Sequence, residues 1–256
     1  VSGRTDMRPG ISGLFAQRDP NAPPPIKPGE DFNIIVAGLD NVGDTRRTDS
    51  IIIGHVSMKD KYANAIFLPR DSRVEIPGHG YDKVNAAYAI GEVDLMRKTL
   101  ENLLGTNIQY YFIIYVPGLV KLIDAIGGVE VCVEKRMKYT DRAQDLYIDL
   151  QAGCQHLDGT QAMGYARFRH DAEGDFGRIR RQQQVIRAIA KKALSKDMFK
   201  GIPKALGVLQ KEKLVITNLS LTDFLMLHRL YSKDFMDNIN MNMAPGTPQT
   251  MHGISY

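Results

Sequence analysis

Strand-like apolar runs that alternate with helix-period stretches predict a layered α/β or α+β domain. Three observations carry that prediction. Short apolar runs at 33–38, 50–56 and 64–68 suit buried strands. Residues 85–104 place apolar side chains at helical spacing, and Val129–Val133 alternates as a half-buried strand does. With 256 residues, 43% of them hydrophobic, the chain can bury one large core or two small ones. A charged fraction of 24% with 8% aromatics excludes a disordered or low-complexity chain. No apolar run approaches the roughly 18 residues that span a bilayer. The sequence opens at Val1 rather than Met, as a truncated or processed piece would, and an upstream signal or anchor would not be visible in it.

The elements follow in order. Residues 1–30 are rich in Pro, Gly and Arg and lack a hydrophobic period, so they read as a leader or linker before a single domain at 31–256. Asn33–Gly38 and Ser50–Val56 read as strands joined by a polar loop, Leu39–Asp49, and Asn64–Leu68 as a third strand. The helix from Asn85 to Leu104 stacks Val93, Met96, Leu100, Leu103 and Leu104, with Gly105 at its C-terminal cap. Tyr110–Val116 reads as a strand, and Pro117 sits at the first turn of a helix that ends at Gly127-Gly128. Asp158 can cap a short helix through Met163. A long helix is expected from about Arg180 to Leu194, and another from Thr222.

The net charge of +4 is unevenly placed. Residues 160–192 hold eight Lys/Arg and three acidic residues, net +5, which leaves the rest of the chain at −1. A near-neutral body with one arginine-rich segment suggests a local anionic ligand rather than diffuse adhesion to nucleic acid or membrane. No nucleotide-binding phosphate loop, dinucleotide fingerprint, serine elbow or HExxH motif occurs, and the six histidines lack metal-ligand spacing.

Three charged clusters sit at the ends of expected strands. In the first, Asp40 and Asp49 flank one loop. They read either as a carboxylate pair for a hard cation or as a turn cap and a solvated side chain. In the second, Arg70 and Lys83 are potential phosphate donors, with Asp71 between them, although a surface turn with a salt bridge is the reading that the spacing alone favours. The third runs from Tyr165 to Gln183. Arg167 and Arg169 alternate around Phe168, and Arg178 and Arg181 are three apart at an expected helix start. Guanidinium forks suit phosphate or pyrophosphate, and crowding them is unfavourable without an anion or carboxylates such as Asp171 and Asp175.

Seven of these segments together carry a family resemblance. Arg47-Thr48-Asp49-Ser50, Pro69-Arg70-Asp71, Lys83 with Asn85, Gly127 to Val131, Leu157 to Ala162, Tyr165 to Arg169 and Gly174 to Gln183 appear in that order. Together they resemble the LytR-CpsA-Psr family of bacterial cell-wall glycopolymer transferases, over roughly residues 32–195.

The resemblance implies an αβα domain of the α/β class with a mixed central sheet and an internal channel for a lipid. It implies transfer of a glycopolymer from a polyprenyl-pyrophosphate carrier to peptidoglycan, assisted by Mg²⁺ or Mn²⁺, on the extracytoplasmic face of the membrane behind an N-terminal anchor. Carried over to this sequence, Asp40 and Asp49 hold the metal. Arg47, Arg70, Arg167, Arg169, Arg178 and Arg181 clamp the pyrophosphate, with Lys83 and Gln182 near it. The catalytic set is Arg47, Asp49, Arg70, Asp71 and Arg169, and either Asp49 or Asp71 takes the acceptor proton. The compact segment Asn41–Arg46 departs from the family pattern near Asp40.

Two alternatives stay open in the sequence, a pyrophosphatase of lipid or nucleotide substrates and a nucleic-acid-binding transcription attenuator. The second is disfavoured, because only Phe168 and Phe176 interleave the arginines and no helix-turn-helix is evident. Cys132 and Cys154 fit an extracytoplasmic disulfide closing a loop of about 22 residues, with two buried thiols as the other reading.

Overall fold

β1 (Phe32–Val42) and β2 (Thr45–Ser57) form a long antiparallel hairpin at the centre of the fold. This is the computed structural model of the protein, which describes residues 23–42, 45–142, 146–169, 174–195, 198, 201–230, 232–251 and 253–256. β3 (Tyr62–Leu68) continues the sheet antiparallel to β2. A small ribbon, β4 (Arg73–Ile76) with β5 (Gly80–Lys83), leads into α1 (Val84–Leu104). β6 (Tyr110–Tyr115) returns parallel to β1, and α2 (Val116–Ala125) follows with Pro117 in its first turn. Next come β7 (Val129–Val133), the hairpin of β8 (Met137–Asp141) and β9 (Leu146–Leu150), and β10 (Gly153–Leu157), which pairs with β7. α3 (Gly159–Arg167), α4 (Gly174–Ala193) and α5 (Gly201–Lys211) precede β11 (Val215–Thr217), the edge strand beside β6. α6 (Leu221–His228), α7 (Lys233–Asp237), β12 (Ile239–Met243) and the terminal hairpin β13 (Thr250–Met251) with β14 (Ile254–Ser255) complete the chain.

The main sheet has the mixed order β11-β6-β1-β2-β3-β12. Alternation along its strands gives it two apolar faces. Ile35, Ala37, Leu39, Ile51, Ile53 and Ile113 point to one face and are covered by Tyr88, Met96 and Leu100 of α1. Ile114 points to the other, where it joins a core built from α2, α3, α4, α5, β7 and β9. Helices on both faces make the αβα layers, and the mixed α/β fold agrees with the sequence reading.

Several boundaries differ from expectation, each for a local reason. Residues 39–42 and 45–49 are strand rather than loop, because β1 and β2 continue through them with Asp40 opposite Arg47, and residues 43–44 lie outside the described residues. Asp40 and Asp49 are tolerated in the strands because they face a cavity rather than packed core. α3 reaches Arg167 instead of stopping near Met163. Its start is the expected one, with Asp158 and Gln161 forming a capping box. α4 begins at Gly174, so Arg178 and Arg181 lie within the helix rather than at its positive end. α1 is interrupted at Gly91 and Glu92, which have non-helical φ and ψ. Residues 1–22 of the expected leader lie outside the described residues, and the rest is anchored where buried Ile26 donates its N–H to Asp223 at 2.7 Å. Among the described residues no helix is long and apolar enough to cross a membrane.

The Cys132–Cys154 disulfide is formed, between directly paired residues of β7 and β10. It staples the ribbon on its exposed side, while Val129, Val131, Val133 and Leu157 fill the core on the other. β10 then runs into α3, whose Gly159 lies so close to the Val120 carbonyl that any side chain there would collide with α2. Closing a loop with a sequence separation of 22 contributes on the order of 3 kcal/mol by restricting the unfolded chain. Cys132→Ser with Cys154→Ser should therefore lower the guanidinium unfolding free energy by about 3 kcal/mol, and a loss below a few tenths would refute the staple.

Candidate active site

A cavity of about 410 Å³ lies between the sheet and the α3–α4 layer. Val36, Gly38 and Asp40 of β1, Ser50 and Ile52 of β2, and Ile114 of β6 form its sheet wall. Opposite stand Leu119 of α2, Met163 and Ala166 of α3, and Ile186 of α4, with Tyr139 and Leu146 from the β8–β9 hairpin. The wall changes from Val36 through Gly38 to Asp40, so polarity rises toward the β1–β2 hairpin end. There Asp40, Asp49, Arg70, Arg167, Arg169, Arg178 and Gln182 meet.

Backbone irregularity places the key carboxylate. Gly38 pairs with Ser50, but the next residue, Leu39, pairs with Thr48, leaving Asp49 as the extra residue of a β-bulge. Bulges bend a strand and re-aim a side chain. Here Thr48 faces the buried side with Leu39, while Asp49 reaches the cavity beside Ser50.

The charges are compensated in chains. Arg167 Nη2 donates to Asp40 Oδ2 at 2.8 Å. Arg70 Nη1 donates to Asp49, its Nε lies 3.6 Å from Asp71 Oδ2, and Lys83 Nζ donates to Asp71 Oδ1 at 2.8 Å. Partial burial works against the charge of Arg70, yet Asp49 and Asp71 outweigh it and raise its pKa above the ordinary value. A second chamber of about 40 Å³ shares Asp49, Ser50, Arg70, Arg178 and Gln182 with the main cavity and adds Asp71.

Of the residues singled out in sequence, the cavity thus brings together Asp40, Asp49, Arg70, Arg167, Arg169, Arg178 and Gln182. Asp71 faces only the smaller chamber, and Lys83 stands behind it. Arg47 lies in β2, but its side chain, like that of Asp175, is outside the described residues, as is all of Asp171. Arg181 is a correction. Arg178, Gln182 and Ile186 recur every four residues and share the cavity face of α4. Arg181, one step round the helix, is fully buried against Glu134 and Phe168 instead. Three residues escaped the sequence reading. Tyr139 and Asp141 line the cavity from β8, and Glu134 follows β7. None belongs to the three clusters singled out in sequence, so only the register of the small ribbons could have pointed to them.

Glu134 binds two buried groups at once. Its Oε1 accepts from Arg181 Nε and its Oε2 from Tyr165 Oη, both at 2.8 Å. Burial and the Glu134 charge raise the Tyr165 pKa well above its ordinary value, so the hydroxyl stays protonated as a donor.

The LytR_cpsA_psr family model matches residues 15–256. The chain is 39% identical over 189 residues to Regulatory protein MsrR of Staphylococcus aureus, a match that covers 73% of this chain and 56% of that protein. The chain therefore spans little more than half the length of that relative. It is 35% identical over 233 residues to the polyisoprenyl-teichoic acid–peptidoglycan teichoic acid transferase TagU of Enterococcus faecalis, covering 89% of this chain and 74% of the relative. A solved structure of TagT bound to LIIa-WTA aligns with a TM-score of 0.70 at 27% identity, covering 94% of this chain and 89% of the other.

Burial opposes ionisation of Glu134, but hydrogen bonds from its own backbone, Tyr165 and Arg181, together with the Arg181 charge, prevail and hold its pKa below 4.5. A carboxyl with a depressed folded-state pKa adds stability that is fully present above its unfolded value and is lost as pH falls through the folded one. Glu134→Gln should therefore cost most stability at neutral pH and progressively less in acid below about pH 4.5. Urea unfolding of both proteins across that range tests this, and a difference independent of pH contradicts it.

Proposed function

This chain belongs to the LytR-CpsA-Psr family, and from that premise we propose that it is a phosphotransferase of the cell envelope. It moves a glycopolymer from a polyprenyl-pyrophosphate carrier onto peptidoglycan. One observation carries the reading: an apolar cavity ends where Arg70, Arg167, Arg169 and Arg178 converge. A long hydrocarbon chain gains from burial at about 25 cal/mol per Å², and a pyrophosphate needs several donors at its head. A cavity joining both properties fits a lipid pyrophosphate better than a free nucleotide. Arg178 is buried and Arg70 and Arg167 are only partly exposed, which counts against nucleic acid, since that binds to open basic surfaces.

In the reaction, the guanidinium groups bind the anionic oxygens and counter the charge that grows on the departing phosphate. The acceptor hydroxyl oxygen bonds to the sugar-linked phosphorus, the bond from that phosphorus to the bridging oxygen breaks, and polyprenyl phosphate leaves with the electron pair. Asp49, which faces the main cavity, receives the hydroxyl proton in preference to Asp71, which does not.

The family resemblance also implies Mg²⁺ or Mn²⁺. Asp40, Asp49, Asp141 and Ser50 offer only oxygen donors, which suits a hard cation. Among the described residues no cage of three or more metal-binding side chains is gathered. An ion that uses one or two carboxylates, water and substrate phosphate needs no such cage. Asp40 and Asp49 would hold it, and when bound it would neutralise phosphate charge. The disulfide supports an extracytoplasmic location, because reducing compartments rarely keep such bonds. An N-terminal membrane anchor belongs to the same proposal.

Arg169→Ala should abolish turnover of a polyprenyl-pyrophosphate glycan donor while leaving the circular dichroism spectrum and melting temperature unchanged. Full activity in that variant would remove the clamp. Glycan release that proceeds equally with and without peptidoglycan would make the chain a pyrophosphatase. Gly38 faces the cavity in an extended strand, and a Cβ there meets only the Ser50 Cβ at 3.6 Å. Gly38→Leu should fill the cavity and weaken binding of a long-chain lipid phosphate about tenfold, on the order of two buried methylenes. Unchanged affinity in calorimetry would show that the chain lies elsewhere.

A further inference from the structure

The arginine pair is carried by a short stretch of backbone that is held from both sides. Arg167 ends α3, Phe168 is extended with φ −61° and ψ 127°, and Arg169 follows. Phe168 turns its ring into the core while its neighbours face the cavity. On one flank, the Phe168 carbonyl accepts from Arg181 Nη1 at 2.9 Å, and the Phe168 ring centroid lies 5.2 Å from the Arg181 guanidinium carbon. On the other flank, Tyr165 Oη donates to Glu134 and lies 2.5 Å from the Gln184 side-chain amide. Both flanks meet at the two oxygens of the single carboxylate of Glu134.

We propose that Glu134 is a positioning residue for the proposed pyrophosphate site, fixing through Tyr165 and Arg181 the backbone that aims Arg167 and Arg169. The inference rests on the function proposed above.

Stability alone does not account for this arrangement. Burying the Arg181 guanidinium costs several kcal/mol in desolvation, and an apolar residue of similar size often stabilises as well or better. A fully buried Arg181 supplies what no apolar side chain can, a fixed donor to the Phe168 carbonyl and a charge that holds the carboxylate. β7 delivers Glu134 from a strand stapled to β10, and β10 leads directly into the helix that carries Tyr165 and Arg167. The carboxylate and its targets are therefore parts of one closed frame, suited to holding side chains within fractions of an ångström. Displacement on the scale of 1 Å at a reacting centre costs up to about a hundredfold.

The test compares the affinities of geranyl pyrophosphate and geraniol by titration calorimetry in wild type, Glu134→Gln, Tyr165→Phe and Arg169→Ala. The ratio of the two affinities isolates the head group from the chain, so a general loosening of the fold that weakens both ligands equally leaves it unchanged. Glu134→Gln is expected to lower the ratio about tenfold and Tyr165→Phe about threefold, with geraniol binding preserved. If Glu134→Gln fails to fold, Tyr165→Phe carries the same test, since it keeps the ring and the ion pair. A wild-type preference for the pyrophosphate that Arg169→Ala removes but Glu134→Gln and Tyr165→Phe leave intact overturns the positioning role alone. A wild type without such a preference overturns the proposed function and this inference together.

Discussion

Guanidinium groups pointed into one cavity repel one another. At roughly 6 Å separation and an effective dielectric of about 20, each pair costs about 3 kcal/mol. A protein that places four of them around one space must supply negative charge nearby or leave the site open to water. Here Arg167 faces Asp40 and Arg70 faces Asp49, and the second pair extends through Asp71 to Lys83. Much of the sheet's local irregularity follows from the need to bring those carboxylates to the arginines.

The fold meets this need with a division of labour. One face of the central sheet packs conventionally beneath α1. The other face has to be apolar core at one end and a charged site at the other, and β1 makes that change within five residues from Val36 to Asp40. An anion bound there, as proposed, would gain from partial shielding from water, since each charge-assisted hydrogen bond is stronger at reduced dielectric. Arg181 belongs to a second layer behind the first, where its charge serves the backbone rather than the cavity.

Much of this was legible in the sequence because the signals are local. Val129–Val133 alternates as expected, Gly105 caps α1 in the left-handed region, Pro117 opens α2, and Asp158 with Gln161 caps α3. The charged clusters marked most of the cavity's polar end. What escaped depends on rotation and register rather than on composition. The spacing of Arg178 and Arg181 put both on one helical face, but a turn of about 60° between residues three apart is enough to separate a cavity from a core. Ile186 reads as ordinary apolar stripe and in fact lines the cavity, because hydrocarbon-facing and core-facing side chains are chemically alike. Glu134 carried no signal, since a single acid after a strand is common in any sheet protein.

The bulge in β2 has a consequence for how the gene can change. Gly38 pairs with Ser50 and Leu39 with Thr48, so the ladder on either side of Asp49 is already continuous. An in-frame loss of that one codon would join Thr48 to Ser50 and leave each of the flanking pairings in place, with every other side chain on its present face. The sheet would read as more regular than before and lack Asp49, one of its cavity-facing carboxylates. Length variation in this strand is thus nearly invisible to folding, and, with the role proposed for Asp49, an aligned relative one residue shorter here would keep the architecture and lose the proton acceptor.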